Sequence, residues 1–135
     1  GAVPCRRTPE WLNYMLRCPA ASMSAYVLVK GGKPRGYFVL SHVQREARIA
    51  DLSIEADAGD DWRAAYAAAT AAAMNHPEVC WVKAAAPVPV VAEALVSNGY
   101  RLHQRLPVWL RDPNNLIRTD SPLRLQLLEG DGAYL

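Results

Sequence analysis

The sequence predicts an α+β fold on a twisted mixed sheet, and three observations carry that prediction. Residues 26–54 hold three strand-like runs separated by short turns, the pattern of an antiparallel meander. The apolar period then switches from that of a strand to that of a helix in an alanine-rich stretch, Trp62 to Met74. An apolar run and a glycine-terminated helix come next. Strand, helix, strand in this order needs a crossover and hence a parallel pair.

The elements follow in chain order. Residues 1–7 read as a short lead and 8–135 as a single domain. The chain opens without methionine, which points to Gly1 as an appended scar and to the chain as a fragment. Thr8-Pro9-Glu10 supplies an N-cap with proline at the first helical position. Trp11, Leu12, Met15 and Leu16 would face inward, and the helix must stop before Pro19. Tyr26–Lys30 and Tyr37–His42 read as a hairpin about the turn Gly31-Gly32-Lys33-Pro34. Arg48–Ile54 is the third strand, with Ala50, Leu52 and Ile54 on one face and Ile49, Asp51 and Ser53 on the other.

Gly59-Asp60-Asp61 opens the alanine-rich helix, whose Trp62, Tyr66, Ala69 and Ala73 share a face, and Asn75-His76-Pro77 ends it. Val79–Val82 is apolar at each position, as a strand covered on both sides is. Pro87 and Pro89 lead into a helix carrying Val90, Val91, Ala94 and Leu95, stopped by Asn98-Gly99. Two C-terminal strands close the chain: Tyr100 to Leu110, interrupted by Pro107, and Leu123 to Leu128.

Composition excludes several classes. With 51% hydrophobic and 21% charged residues, the chain is neither disordered nor fibrous. A net charge of +2 with scattered arginines gives no electrostatic case for nucleic acid. No apolar run approaches a membrane span. Cys5, Cys18 and Cys80 form no CxxC pair and have no histidine partners, so neither a disulfide framework nor a metal site is expected. Cys80 is expected to pack as a small hydrophobe, and a reducing cytoplasm is the default compartment.

The order of elements resembles the GNAT superfamily of N-acetyltransferases over about residues 8–128. Gly36-Tyr37-Phe38-Val39-Leu40 is similar to that family's third strand, and Ile49–Ile54 to its fourth. Ala94–Tyr100 is similar to its Gly-terminated helix. The family's first strand and first helix have no counterpart. The resemblance implies acyl transfer from a coenzyme A thioester to an amine. It also implies that the pantetheine arm pairs with the exposed backbone of the fourth strand, here Leu52 and Ile54. The pyrophosphate would rest on the next helix start, here Gly59, Asp60 and Asp61, where unpaired N–H groups and the dipole favour anions.

The sequence departs from that pattern at the phosphate turn. Glu55-Ala56-Asp57-Ala58-Gly59-Asp60-Asp61 keeps one glycine, lacks the preceding Arg or Gln, and places four carboxylates where a pyrophosphate would arrive. Each repels a phosphate by roughly 1 kcal/mol even in watery surroundings. Side chains capping the helix start would also use up its donors. Leu95 stands where the family carries its general-acid tyrosine, and Tyr100 reads as core packing.

Asp51 is the best acid–base candidate, since a strand carboxylate can polarise an attacking amine. Pairing of His42 with Asp51 across the sheet, with Ser41 beside it, would suggest a hydrolase, but no Gly-x-Ser-x-Gly elbow exists and adjacent strand side chains point apart. His76 reads as a residue at a helix C-terminus and His103 as exposed. Trp11, Trp62, Trp81 and Trp109 read as core or interface residues. The expected function is thus an acetyltransferase-like domain with a degenerate coenzyme A site, serving as a structural or partner-binding part of a larger protein. An active acyltransferase using acetyl-CoA or another acyl-CoA is the first alternative. A homodimeric module pairing through the exposed edge at Tyr26–Val29 is the second. An upstream domain of the same protein is the other expected partner.

Overall fold

The computed structural model describes residues 3–4, 7–55, 58–107, 109, 111–116 and 123–129. Helix α1 spans Pro9–Leu16, and the Thr8 hydroxyl accepts a hydrogen bond from the Trp11 N–H at 3.2 Å, as an N-cap should. Strands β2 (Ser22–Lys30) and β3 (Lys33–Val43) form the hairpin. Gly31 and Gly32 both adopt positive φ, 59° and 74°, which a two-residue turn of this hand demands. Strand β4 (Glu46–Ile54) completes the meander. Helix α2 (Gly59–Met74) crosses over to β5 (Trp81–Ala84), which runs parallel to β4. Helix α3 (Pro89–Ser97) follows, and Gly99 ends it at φ 85°.

The sheet order is β2-β3-β4-β5. Helices α2 and α3 cover one face. Trp62, Ala65, Tyr66, Ala69 and Ala73 point inward there, with Val91, Ala94 and Leu95, against Phe38, Leu40, Ile49 and Leu52. The small alanine side chains let α2 lie close to the strands. The other face is covered by α1 and by a 3-10 turn, Leu127–Glu129, whose Leu128 packs with Val39 and Ala50. A separate two-residue strand β1 (Val3–Pro4) pairs in parallel with β6 (Leu123–Arg124). Among the described residues no helix is long and apolar enough to cross a membrane.

Strand β4 departs from simple alternation. Val39 pairs with Asp51 but Leu40 pairs with Ile49, so Ala50 is an extra residue, a β-bulge. The expected faces are therefore wrong on one side of the bulge. Ile49 joins Leu52 and Ile54 on the α2 side, and Ala50 joins the cluster on the opposite face.

Three further expectations are corrected. β5 is an edge strand covered on one face: Val79 is buried and Val82 half-buried, while Trp81 and Lys83 are exposed. Cys80 is exposed rather than packed, because its neighbour Val79 takes the inward place. The described residues of the two expected C-terminal strands do not join the four-stranded sheet, and Val108 and Leu110 lie outside the described residues. Residues 101–107 and 109 belong to no strand and are all exposed. Pro107 removes a ladder donor there. Of Leu123–Leu128 only Leu123–Arg124 is extended pairing, and the chain then tightens into the 3-10 turn, where the Gln126 N–H donates to the Glu129 carboxylate.

The close approach of β3 and β4 depends on Gly36. A Cβ there would lie 2.2 Å from the Ser53 carbonyl oxygen. Gly36→Ala should destabilise the domain by about 1–3 kcal/mol in urea unfolding. At the far end of β3, the His42 ring lies 5.1 Å from the His76 ring, and its Nε2 is buried without a partner. Burial, then the His76 charge, holds the His42 imidazole below its ordinary value. The unfolded chain therefore takes up this proton first, and stability falls as pH drops below about 6.5. The melting temperature should decline between pH 7 and pH 5, and His42→Gln should flatten that slope.

Candidate functional site

The bulge at Ala50 sets Asp51 on the α1 side of the sheet, opposite Val39 and one pleat from Tyr37 and Ser53. Asp51 is 2% exposed. Its carboxylate is held bidentately: Arg7 Nε donates to Oδ2 at 2.9 Å and Nη2 to Oδ1 at 3.0 Å. The Tyr37 hydroxyl donates to Oδ2 at 2.8 Å. Arg7 also reaches Glu129 in the 3-10 turn, Nη1 to Oε1 at 2.9 Å, and lies over the Trp11 ring of α1 at 4.7 Å. One guanidinium thus ties the start of the chain, β4 and the C-terminal segment together.

The electrostatics follow from this cluster. Burial works against the Arg7 charge, but Asp51 and Glu129 outweigh it and raise its proton affinity. The Tyr37 phenol is pushed up by burial and then by the adjacent Asp51 charge. Beside the cluster is a cavity of about 40 Å³ lined by Arg7, Asp51, Leu52, Ser53, Arg124 and Gln126. It has room for a few waters. Gln126 is 7% exposed, and its amide lies beside the buried Tyr66 hydroxyl, which it favours in the charged form. Burial pushes the Tyr66 phenol up. The Arg124 guanidinium stacks over Trp62 of α2 at 4.8 Å.

The segment Leu123–Glu129 therefore touches both layers. Arg124 lies on the α2 side, Leu128 on the α1 side, and between them the chain passes Asp51, Leu52 and Ser53. This is the part of β4 that β5 leaves behind, since their pairing runs from Glu46 to Ile49 only.

A second polar cluster marks the paired end of β4. Glu46 accepts from the Trp81 indole at 2.6 Å, from Arg48 and from Lys83 at 3.3 Å. Burial works to raise the Glu46 carboxyl, but the hydrogen bonds from Trp81, Arg48 and Lys83 hold it below its ordinary range.

The described residues assigned to a phosphate turn, Gly59, Asp60 and Asp61, form the first turn of α2, as expected. The N-cap of α2 is Ala58, with no side-chain hydrogen bond, so the expectation that carboxylates cap this helix and occupy its donors does not hold for the described residues. Asp60 pairs with Arg63 and Asp61 with Lys30, each at 2.9 Å. Asp57 lies outside the described residues. Gly59 and Arg63 line a cavity of about 100 Å³, which Glu93 also faces. Leu52 is buried in the α2-side core, and Ile54 packs beside it. The β4 overhang lies against the chain's own C-terminal segment at Arg124, Gln126 and Leu128.

His42 and Ser41 are not brought to Asp51. Ser41 pairs across the sheet with Arg48, and the His42 ring lies tilted against that of His76. Tyr100 packs in the core, with its hydroxyl 2.8 Å from that of Thr70. Leu95 is buried in the core and His103 is exposed. Trp62 is core, Trp11 packs on the α1 side, and Trp81 and Trp109 are exposed. No family model matches the chain, and no curated protein or solved structure matches it either.

Sequence reasoning missed Arg7, Tyr37, Arg124, Gln126 and Glu129. Tyr37 had a signal, since it shares a meander face with Asp51 once the register is fixed. The others come from opposite chain ends. Removing one partner of the ion pair leaves the other charge buried. Asp51→Ala and Arg7→Ala should each destabilise by about 3 kcal/mol, and the double variant by clearly less than the sum. Urea titrations of the four proteins check this, and strict additivity would contradict it.

Proposed function

We propose that this chain is a GNAT-like domain whose coenzyme A site is degenerate and that it serves as a structural or partner-binding part of a larger protein. The order of helix, three antiparallel strands, helix, parallel strand and helix supports the likeness. One observation carries the degeneracy: Leu123–Glu129 lies over the stretch of β4 that extends beyond β5. In the resemblance that stretch would receive the pantetheine arm.

An active acyltransferase is the weaker reading. Both Asp51 oxygens already accept hydrogen bonds from Arg7 or Tyr37, so a general base there would first have to give up those donors. Replacing a bidentate guanidinium with an incoming amine is unfavourable in a buried place.

Calorimetric titration with acetyl-CoA tests the proposal. No saturable heat is expected up to millimolar ligand, and thiol release with a panel of amines should stay at background. Micromolar binding would overturn it.

A further inference from the structure

We propose that the cavity between β4 and the C-terminal segment binds a small free carboxylate, of the size of formate or acetate, held by Arg124 and Gln126. The proposal does not rest on the coenzyme A reading: the ligand is a free acid, and the cavity is separate from the one at the start of α2.

The charges set up the site. Arg7 and Arg124 both line this cavity. Arg7 is matched, since Asp51 accepts two of its N–H groups and Glu129 a third. Arg124 has no carboxylate partner among the described residues. Its guanidinium lies over the Trp62 ring, and its Nε is buried with no acceptor. An aromatic ring attracts the cation, yet a buried N–H still needs an oxygen. Asp51 does not supply one, because its two oxygens are engaged by Arg7 and Tyr37.

The size of the space and its walls select the ligand. A cavity of about 40 Å³ has room for roughly three waters, and hence for three or four heavy atoms. Gln126, which also lines it, brings an amide with two N–H groups, so one remains for a ligand beside Tyr66. Ser53 adds a hydroxyl from β4. A carboxylate is planar, as the guanidinium is, and its two oxygens can accept from Arg124 and Gln126 together. Water fills the same space but brings no charge to set against Arg124.

The groups are held before a ligand arrives. The pairing of β6 with β1 fixes the backbone of Arg124. The Gln126 N–H is tied to the Glu129 carboxylate, and Ser53 is paired with Tyr37 in the sheet. Little ordering is left to oppose binding.

Titration of the full chain with sodium formate, acetate, chloride and phosphate at matched ionic strength tests the proposal, read by the Gln126 side-chain and Arg124 Nε–H signals in nitrogen-edited NMR and by melting temperature. Formate and acetate should shift those signals saturably, with roughly millimolar affinity for so few atoms, and raise the melting temperature. Chloride and phosphate should do neither. Arg124→Met should abolish the shift of the Gln126 signal. Arg124→Lys keeps the charge but loses the planar fork, and should weaken binding by about tenfold in a chain that still folds. Arg63→Gln, at the cavity beside Gly59, should leave binding unchanged. Unmoved Gln126 and Arg124 signals in both carboxylates would overturn the proposal, as would an equal response to chloride. Full-strength binding by Arg124→Lys, or its loss in Arg63→Gln alone, would overturn it as well.

Discussion

Ala50 is the extra residue in β4, and the rest of the domain is arranged around the turn it makes in that strand. Before the bulge, Ile49 faces α2. After it, Leu52 also faces α2, while Asp51 points the other way and Ala50 fills the space beneath Leu128. Without the extra residue, an even spacing would put Asp51 and Ile49 on the same face, and one of them would be misplaced. A carboxylate in the α2-side core would meet only apolar groups, at a cost of several kcal/mol. The bulge keeps both faces consistent.

Asp51 then acts as an anchor for chain ends. Arg7 precedes the first helix and Glu129 lies in the last turn, yet the guanidinium that holds Asp51 also pairs with Glu129. Such a buried pair adds little net stability compared with apolar packing of the same volume. Its effect is to choose where the ends go. With the C-terminal segment fixed across β4, the strand's overhang is contacted from both layers. Among the described residues, β5 is an outer edge of the sheet.

Much of the fold was legible in the sequence because local signals agreed with tertiary packing. Thr8-Pro9 marked α1, the paired glycines marked the hairpin, and the spacing of Trp62, Tyr66, Ala69 and Ala73 gave the buried face of α2. Asn98-Gly99 marked the end of α3. The bulge was not legible, since alternation in Ile49–Ile54 reads equally well without it and only the register with β3 decides. The arm after Gly99 misled for a related reason. Its alternation is real, but a strand needs a neighbour, and no local signal says where that neighbour is. Arg7 and Glu129 could not have been assigned to Asp51, because pairings between chain ends leave no periodicity to read.

The bulge can be tested directly by nuclear Overhauser spectroscopy on methyl-labelled protein. The Ala50 methyl should show cross-peaks to Val39 and Leu128, while Ile49 and Leu52 both show cross-peaks to the Trp62 and Tyr66 rings. Cross-peaks from Ala50 to Tyr66 or Ala69, with Ile49 turned toward Val39, would mean that β4 alternates without interruption and would contradict the account.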